Sequence, residues 1–263
     1  MEVNLPWIEY LLKNIQSEYA KNPPEIKVHD ITKEDTLYID EILNNPVGFD
    51  AEKLIKDSLT LPLKKYMSAN HSVISYADSI EDLEVWFRIL RCLASGEPTR
   101  IVYFGNPTKR QPPLPGQPIR PIHINGGYTN HCDLRTIVIY RKEDGLRVLI
   151  HELLHGLCTD PHIDLPHIEA DTEAWAEIIY VGFKARGVKN VWTTLMKKQI
   201  QYSLEQANYV YKHHQVSSPM DYGWRYISGR LEVWNSLGLS LPLQQRTNKT
   251  RKNRTLRLTD PSL

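Results

Sequence analysis

Apolar positions recur at helical spacing twice in the first third of the chain. Ile8, Leu11, Leu12 and Ile15 form one such row, and Leu83, Trp86, Phe87, Leu90 and Leu93 form the other. Both predict amphipathic helices, and Pro23-Pro24, Asn45-Pro46 and Leu61-Pro62 cut the intervening sequence into short pieces. Residues 1–95 therefore read as a mostly helical N-terminal region. The pattern then changes. "RIVYFG" at 100–105, "IHINGGYT" at 122–129 and "RTIVIYR" at 135–141 are rich in β-branched and aromatic residues and predict strands. Between the first two, Pro107, Pro112, Pro113, Pro115, Pro118 and Pro121 forbid a helix and predict an extended surface loop. Gly126-Gly127 predicts a bulge or a close backbone approach.

From Glu143 the helical period returns. Leu146, Leu149, Ile150, Leu153, Leu154 and Leu157 share one broad face, and Glu143 and Asp144 suit a helix N-terminus. A second helix is predicted from Asp164 as N-cap, with Pro166 in its first turn, to Gly187. A third covers roughly 190–214. Residues 244–263 carry Arg246, Lys249, Arg251, Lys252, Arg254 and Arg257 against one acid, Asp260, with no aromatics, which predicts a disordered basic tail. The expected fold class is α+β, mainly helical, with a small twisted β-sheet packed on the helix that follows Glu143. The expected organisation is 1–95, a compact domain over 96–243, and the tail.

A hydrophobic fraction of 41% is enough for a sizeable core, and a net charge of +1 points to neither nucleic acid nor an anionic surface. No run approaches the roughly 18 apolar residues of a membrane span, and the first 19 residues lack a secretory core. Cys92, Cys132 and Cys158 are odd in number and widely spaced. They argue against a disulfide framework and for a reducing, intracellular and cytoplasmic setting.

The chemistry is concentrated in "HELLH" at 151–155. Residues four apart on a helix share a face, so His151 and His155 can hold one Zn²⁺. Glu152 can reach a metal-activated water as general base. Five residues with three fixed positions also arise by chance, and two satisfied core histidines are the plainer alternative. The apolar surroundings weigh against it, because an unpaired charge there costs several kcal/mol. The following helix offers Glu169, Glu173 and Glu177 on one face, with Asp171 off it. Glu177 reads as part of a solvated face, while Glu169 and Glu173 are candidate third ligands. His162 and His167 in the connection compete with them.

At these residues the sequence resembles the zincin metallopeptidases of the gluzincin branch, in which HExxH is followed by a Glu and, four residues on, an acid. "EADTE" at 169–173 supplies both. The resemblance implies Glu169 as third zinc ligand, Glu173 supporting His151 from behind, and an edge strand above the metal that pairs with an extended peptide. "NGGYT" or "TIVIYR" would supply that edge. Over 125–179 the chain also looks like uncharacterised metallopeptidase-like proteins of large DNA viruses, which implies a viral protein acting in the host cytoplasm or virion. It departs from the metzincins, whose third histidine would fall on Pro161 and whose turn glycine is replaced by Cys158.

The function expected is therefore zinc-dependent hydrolysis of peptide bonds in a protein or peptide substrate. The alternative is a catalytically silent, zinc-stabilised interaction module, associated with nucleic acid through residues 244–257. Tyr209, Tyr211, His213 and His214 could stabilise an oxyanion, but a packed aromatic face is the simpler reading. Cys158 reads as a small buried hydrophobe.

Overall fold

The computed structural model of the chain describes residues 5–44, 51–160, 164–239 and 255–263. In chain order the elements are α1 (Pro6–Ala20), β1 (Lys27–His29), α2 (Lys33–Asn44), α3 (Ala51–Ser58), β2 (Lys64–Ser68), β3 (His71–Ser75), α4 (Leu83–Leu93) and β4 (Thr99–Asn106). There follow α5 (Pro121–Ile124), β5 (Gly127–Tyr128), β6 (Ile137–Arg141), α6 (Gly145–Gly156), α7 (Leu165–Lys184), α8 (Lys189–His214), a π-helical turn (Trp224–Ser228) and α9 (Gly229–Ser236). The fold is α+β with a small mixed sheet, as the sequence predicts. Among the described residues no helix is long and apolar enough to cross a membrane.

The chain divides into two compact units that interleave in sequence. One comprises Lys21–Lys109 and Asn125–Thr159, the other Met1–Ala20, Arg110–Ile124 and Asp160–Leu263. The first holds the sheet, in the order β1-β2-β3-β4-β6-β5. The β3/β4 and β4/β6 pairs are parallel and the other three antiparallel. The central strands are apolar on both faces, with Ile101, Val102, Phe104, Ile137, Val138 and Ile139 all essentially inaccessible, as parallel strands covered on both sides must be. Helix α6 packs on β5, β6 and α4, and its Val148, Leu149 and Leu153 are buried. The helix begins after Asp144, whose φ of 59° is left-handed and whose side chain makes no capping bond; it therefore stands at the cap, not in the first turn.

The second unit is helical. Asp164 caps α7 by accepting the His167 backbone N–H at 3.2 Å. At the other end Gly187, φ +75°, turns the chain out where a side chain would strike the backbone of α1. An apolar cluster joins Ile119, Val210, Trp224, Ile227, Leu256 and Leu258.

Three expectations need correction. The region 1–95 holds the helices α1 to α4, but also β1, β2 and β3, which its pattern did not predict. These strands are short, and in β2 the half-exposed Lys64 and Lys65 hide the alternation. Residues 121–124 form a helical turn, which shrinks the strand expected at 122–129 to Gly127–Tyr128. The tail is not disordered throughout. Residues 244–254 lie outside the described residues, but 255–263 is docked: Leu256 and Leu258 are buried, and Tyr202 and Gln199 donate to the carbonyls of Arg257 and Leu258 at 2.7 and 2.9 Å. Two leucines alternating with polar residues supply the apolar area that the basic composition conceals.

Candidate metal centre

Helix α6 fixes the predicted histidines on one face because they are four residues apart. Their Nε2 atoms lie 3.1 Å from each other, with the rings at 78°. Two nitrogens at about 2.0–2.1 Å from one tetrahedral ion would stand about 3.3 Å apart, so the pair fits a shared metal. The same contact also fits a hydrogen bond between neutral imidazoles, one donating and one accepting. His151 is 7% exposed and His155 is half-buried.

Glu152, on the same helical turn, is 5% exposed. A Cβ built on Gly127 would come within 2.7 Å of the Val138 carbonyl, 2.8 Å of Val148 and 3.1 Å of Glu152 Oε1. The Gly126-Gly127 pair thus marks a close backbone approach, as expected, to the Val138 carbonyl and Val148 first and the Glu152 carboxylate next. Strand β5 pairs only with β6 and forms the sheet edge, whereas β6 is internal. Of the two segments proposed for an edge strand, "NGGYT" holds that position. Beside Gly127, burial and then the neighbouring Tyr38 push the Tyr128 hydroxyl up to about 12. That phenol stays protonated near neutrality and can donate, but not act as a base.

The acids of α7 belong to the helical unit. Their row runs inward along the helix: Glu169 is half-buried, Glu173 is 2% exposed and Glu177 is inaccessible. The solvated role expected for Glu177 is wrong. Its carboxylate accepts from the Thr259 hydroxyl at 3.1 Å and faces Arg230 Nη1 at 3.8 Å, with both charged side chains fully buried. Arg230 is further held by Ser203 and Gln206 at 3.0 and 3.2 Å. Asp171, off the row, is pushed above the usual carboxylate range by burial and, secondarily, by Asp160. His167 is exposed and its ring meets Asp164 at 2.6 Å; His162 lies outside the described residues. Tyr209 stacks against both His213 and His214, and the His214 ring bonds the Gln117 carbonyl at 2.9 Å. These residues form a packed corner, while Tyr211 is exposed.

Sequence reasoning missed a second cluster. Cys132 and Cys158 are joined as a disulfide, with Cα atoms 4.6 Å apart, and Cys158 is exposed, not a buried hydrophobe. The odd, widely spaced cysteines thus include one pair, which the spacing argument did not expect. The two residues are 26 apart in sequence, so no spacing motif announces them; only the His131-Cys132 neighbours hint at a soft donor set.

A scan of family models finds no match to the chain, and neither does a search of curated proteins or of solved structures.

Proposed function

We propose that the protein is a zinc-dependent hydrolase of peptide bonds. The observation that carries this reading is the Nε2 pair of His151 and His155 at 3.1 Å, on a buried helix whose next carboxylate abuts a sheet edge. The third ligand is the one that the resemblance to the HExxH peptidases implies, Glu169. The same resemblance gives Glu173, one turn further along α7, the supporting role, as imidazole ligands generally need an outer acceptor to fix their tautomer. Zinc bound there would polarise the scissile carbonyl and lower the pKa of water towards ~7.

Glu152 takes the proton of the attacking water and returns it to the leaving amine. Strand β5 lends its outer backbone edge to an extended peptide, so main-chain hydrogen bonds give affinity without strong side-chain selection. Gly127 keeps that edge close to Glu152, since a side chain there would strike the Val138 carbonyl and Val148 and crowd the carboxylate.

The test is cleavage of a peptide library, read by mass spectrometry, by wild type and by Glu152→Gln, with metal content measured on both. The expected result is cleavage by wild type, at least about 10²-fold less by the variant, and equal metal. Metal-loaded wild type that cleaves nothing would favour a silent, zinc-stabilised module. Loss of metal from Glu152→Gln would show that the carboxylate is a ligand and not the base.

A further inference from the structure

Outside the histidine pair, one other group of soft donors converges: His131, Cys132 and Cys158. One ligand atom from each lies within 4.8 Å of the others, and all three residues are exposed. The His131 ring nitrogen is 3.1 Å from Cys132 Sγ. The backbone presents the cysteines to each other. Both have left-handed φ, 61° and 58°, and both backbone N–H groups donate to one acceptor, the His155 carbonyl, at 3.0 and 3.2 Å. The end of α6 thus holds the backbones of the two cysteines side by side.

We propose that this cluster is a second, redox-gated site for a thiophilic divalent cation. In the reduced state Cys132 and Cys158 bind as thiolates, with the His131 imidazole as third donor and solvent completing a tetrahedron. Two thiolates at about 2.3 Å from one ion stand about 3.8 Å apart, a separation open to sulfurs whose Cα atoms are 4.6 Å from each other. Binding releases the two thiol protons and the metal is held without any change of oxidation state. In the oxidised state the same sulfurs are bonded to each other and cannot ligate. The step is thiol–disulfide exchange: two protein thiols lose two electrons and two protons to one glutathione disulfide, which leaves as two glutathione thiols. Exposure gives both the hydrated cation and the tripeptide access.

Full-length protein reduced with a phosphine and titrated anaerobically with Cd²⁺ should develop sulfur-to-metal ultraviolet absorption that saturates at about one equivalent. The absorption should vanish in Cys132→Ser and in Cys158→Ser, persist in Cys92→Ser, and be abolished by prior treatment with glutathione disulfide. That treatment should lower the thiol titre from the three cysteines of the chain to Cys92 alone. Reduced protein without the absorption, absorption that survives Cys132→Ser, or an unchanged titre after glutathione disulfide would each overturn the proposal. The histidine pair of α6 contains no sulfur, so this readout is independent of the function proposed above.

Discussion

Glu152 and Glu177 are both buried glutamates on apolar helices, one in each unit, yet their surroundings differ in kind. Glu177 has a buried arginine and a threonine hydroxyl from the last residues of the chain. Its charge is matched by a buried guanidinium that Ser203 and Gln206 also hold in place. Glu152 sits beside the backbone of a two-residue edge strand and on the same turn as two converging imidazoles. Burial alone therefore says little about chemistry. The partners decide: a buried arginine marks Glu177 as an anchor, whereas a neighbouring strand edge and paired metal-type donors mark Glu152 as part of a site.

The contrast gives four expectations. The largest concerns Glu152→Gln, which should reduce peptide cleavage by about 10²–10⁴-fold while leaving the unfolding midpoint nearly unchanged; a shifted midpoint with unchanged turnover would make Glu152 an anchor too. Glu177→Ala should do the reverse. It strands Arg230 in the core and should cost about 3–5 kcal/mol in denaturant unfolding, with any activity loss tracking the unfolded fraction. Thr259→Val removes one hydroxyl donor from the same carboxylate, and the expected destabilisation is about 1–3 kcal/mol. A value near zero would show that Arg230 alone satisfies Glu177.

The smallest effect concerns Asp35, an anchoring acid within the sheet unit itself. Burial pushes its carboxyl up, but Lys65 at 2.8 Å and the Thr32 N–H and hydroxyl more than offset this and hold it below its ordinary range. A depressed folded value contributes stability that is fully present above the unfolded carboxylate range, near pH 4. That stability is lost as pH falls through the folded value. Wild type should therefore lose more stability than Asp35→Asn on acidification below about pH 4, measured by urea unfolding at stepped pH. Parallel curves would contradict this.

Much of the sheet unit's centre was legible because its signals are local. β4, β6 and α6 follow from runs of apolar residues at the right period, and the His151/His155 face follows from a four-residue spacing. What escaped depends on partners far along the chain. Glu177 looked solvated because Arg230 and Thr259 cannot be inferred from its neighbours. The disulfide joins residues 26 apart, and Leu256 and Leu258 were masked by the basic residues around them. Strands β1 to β3 are short, and β1 and β2 carry lysines, so their pairing, not their sequence, makes them strands. Within α7, Glu169, Glu173 and Glu177 repeat every four residues. The sequence distinguishes them poorly, and it is the Arg230 and Thr259 partners that mark Glu177 as the anchor.

The central claim is that His151 and His155 hold a metal, and metal content tests it most directly. Protein carrying Cys132→Ser, so that the thiol cluster contributes nothing, should retain about one Zn²⁺ per chain after dialysis. Zinc should be lost in His151→Ala and in His155→Ala made in the same background, while Glu152→Gln should keep it. A folded Cys132→Ser protein that takes up no zinc, or zinc that survives both histidine substitutions, would contradict the account.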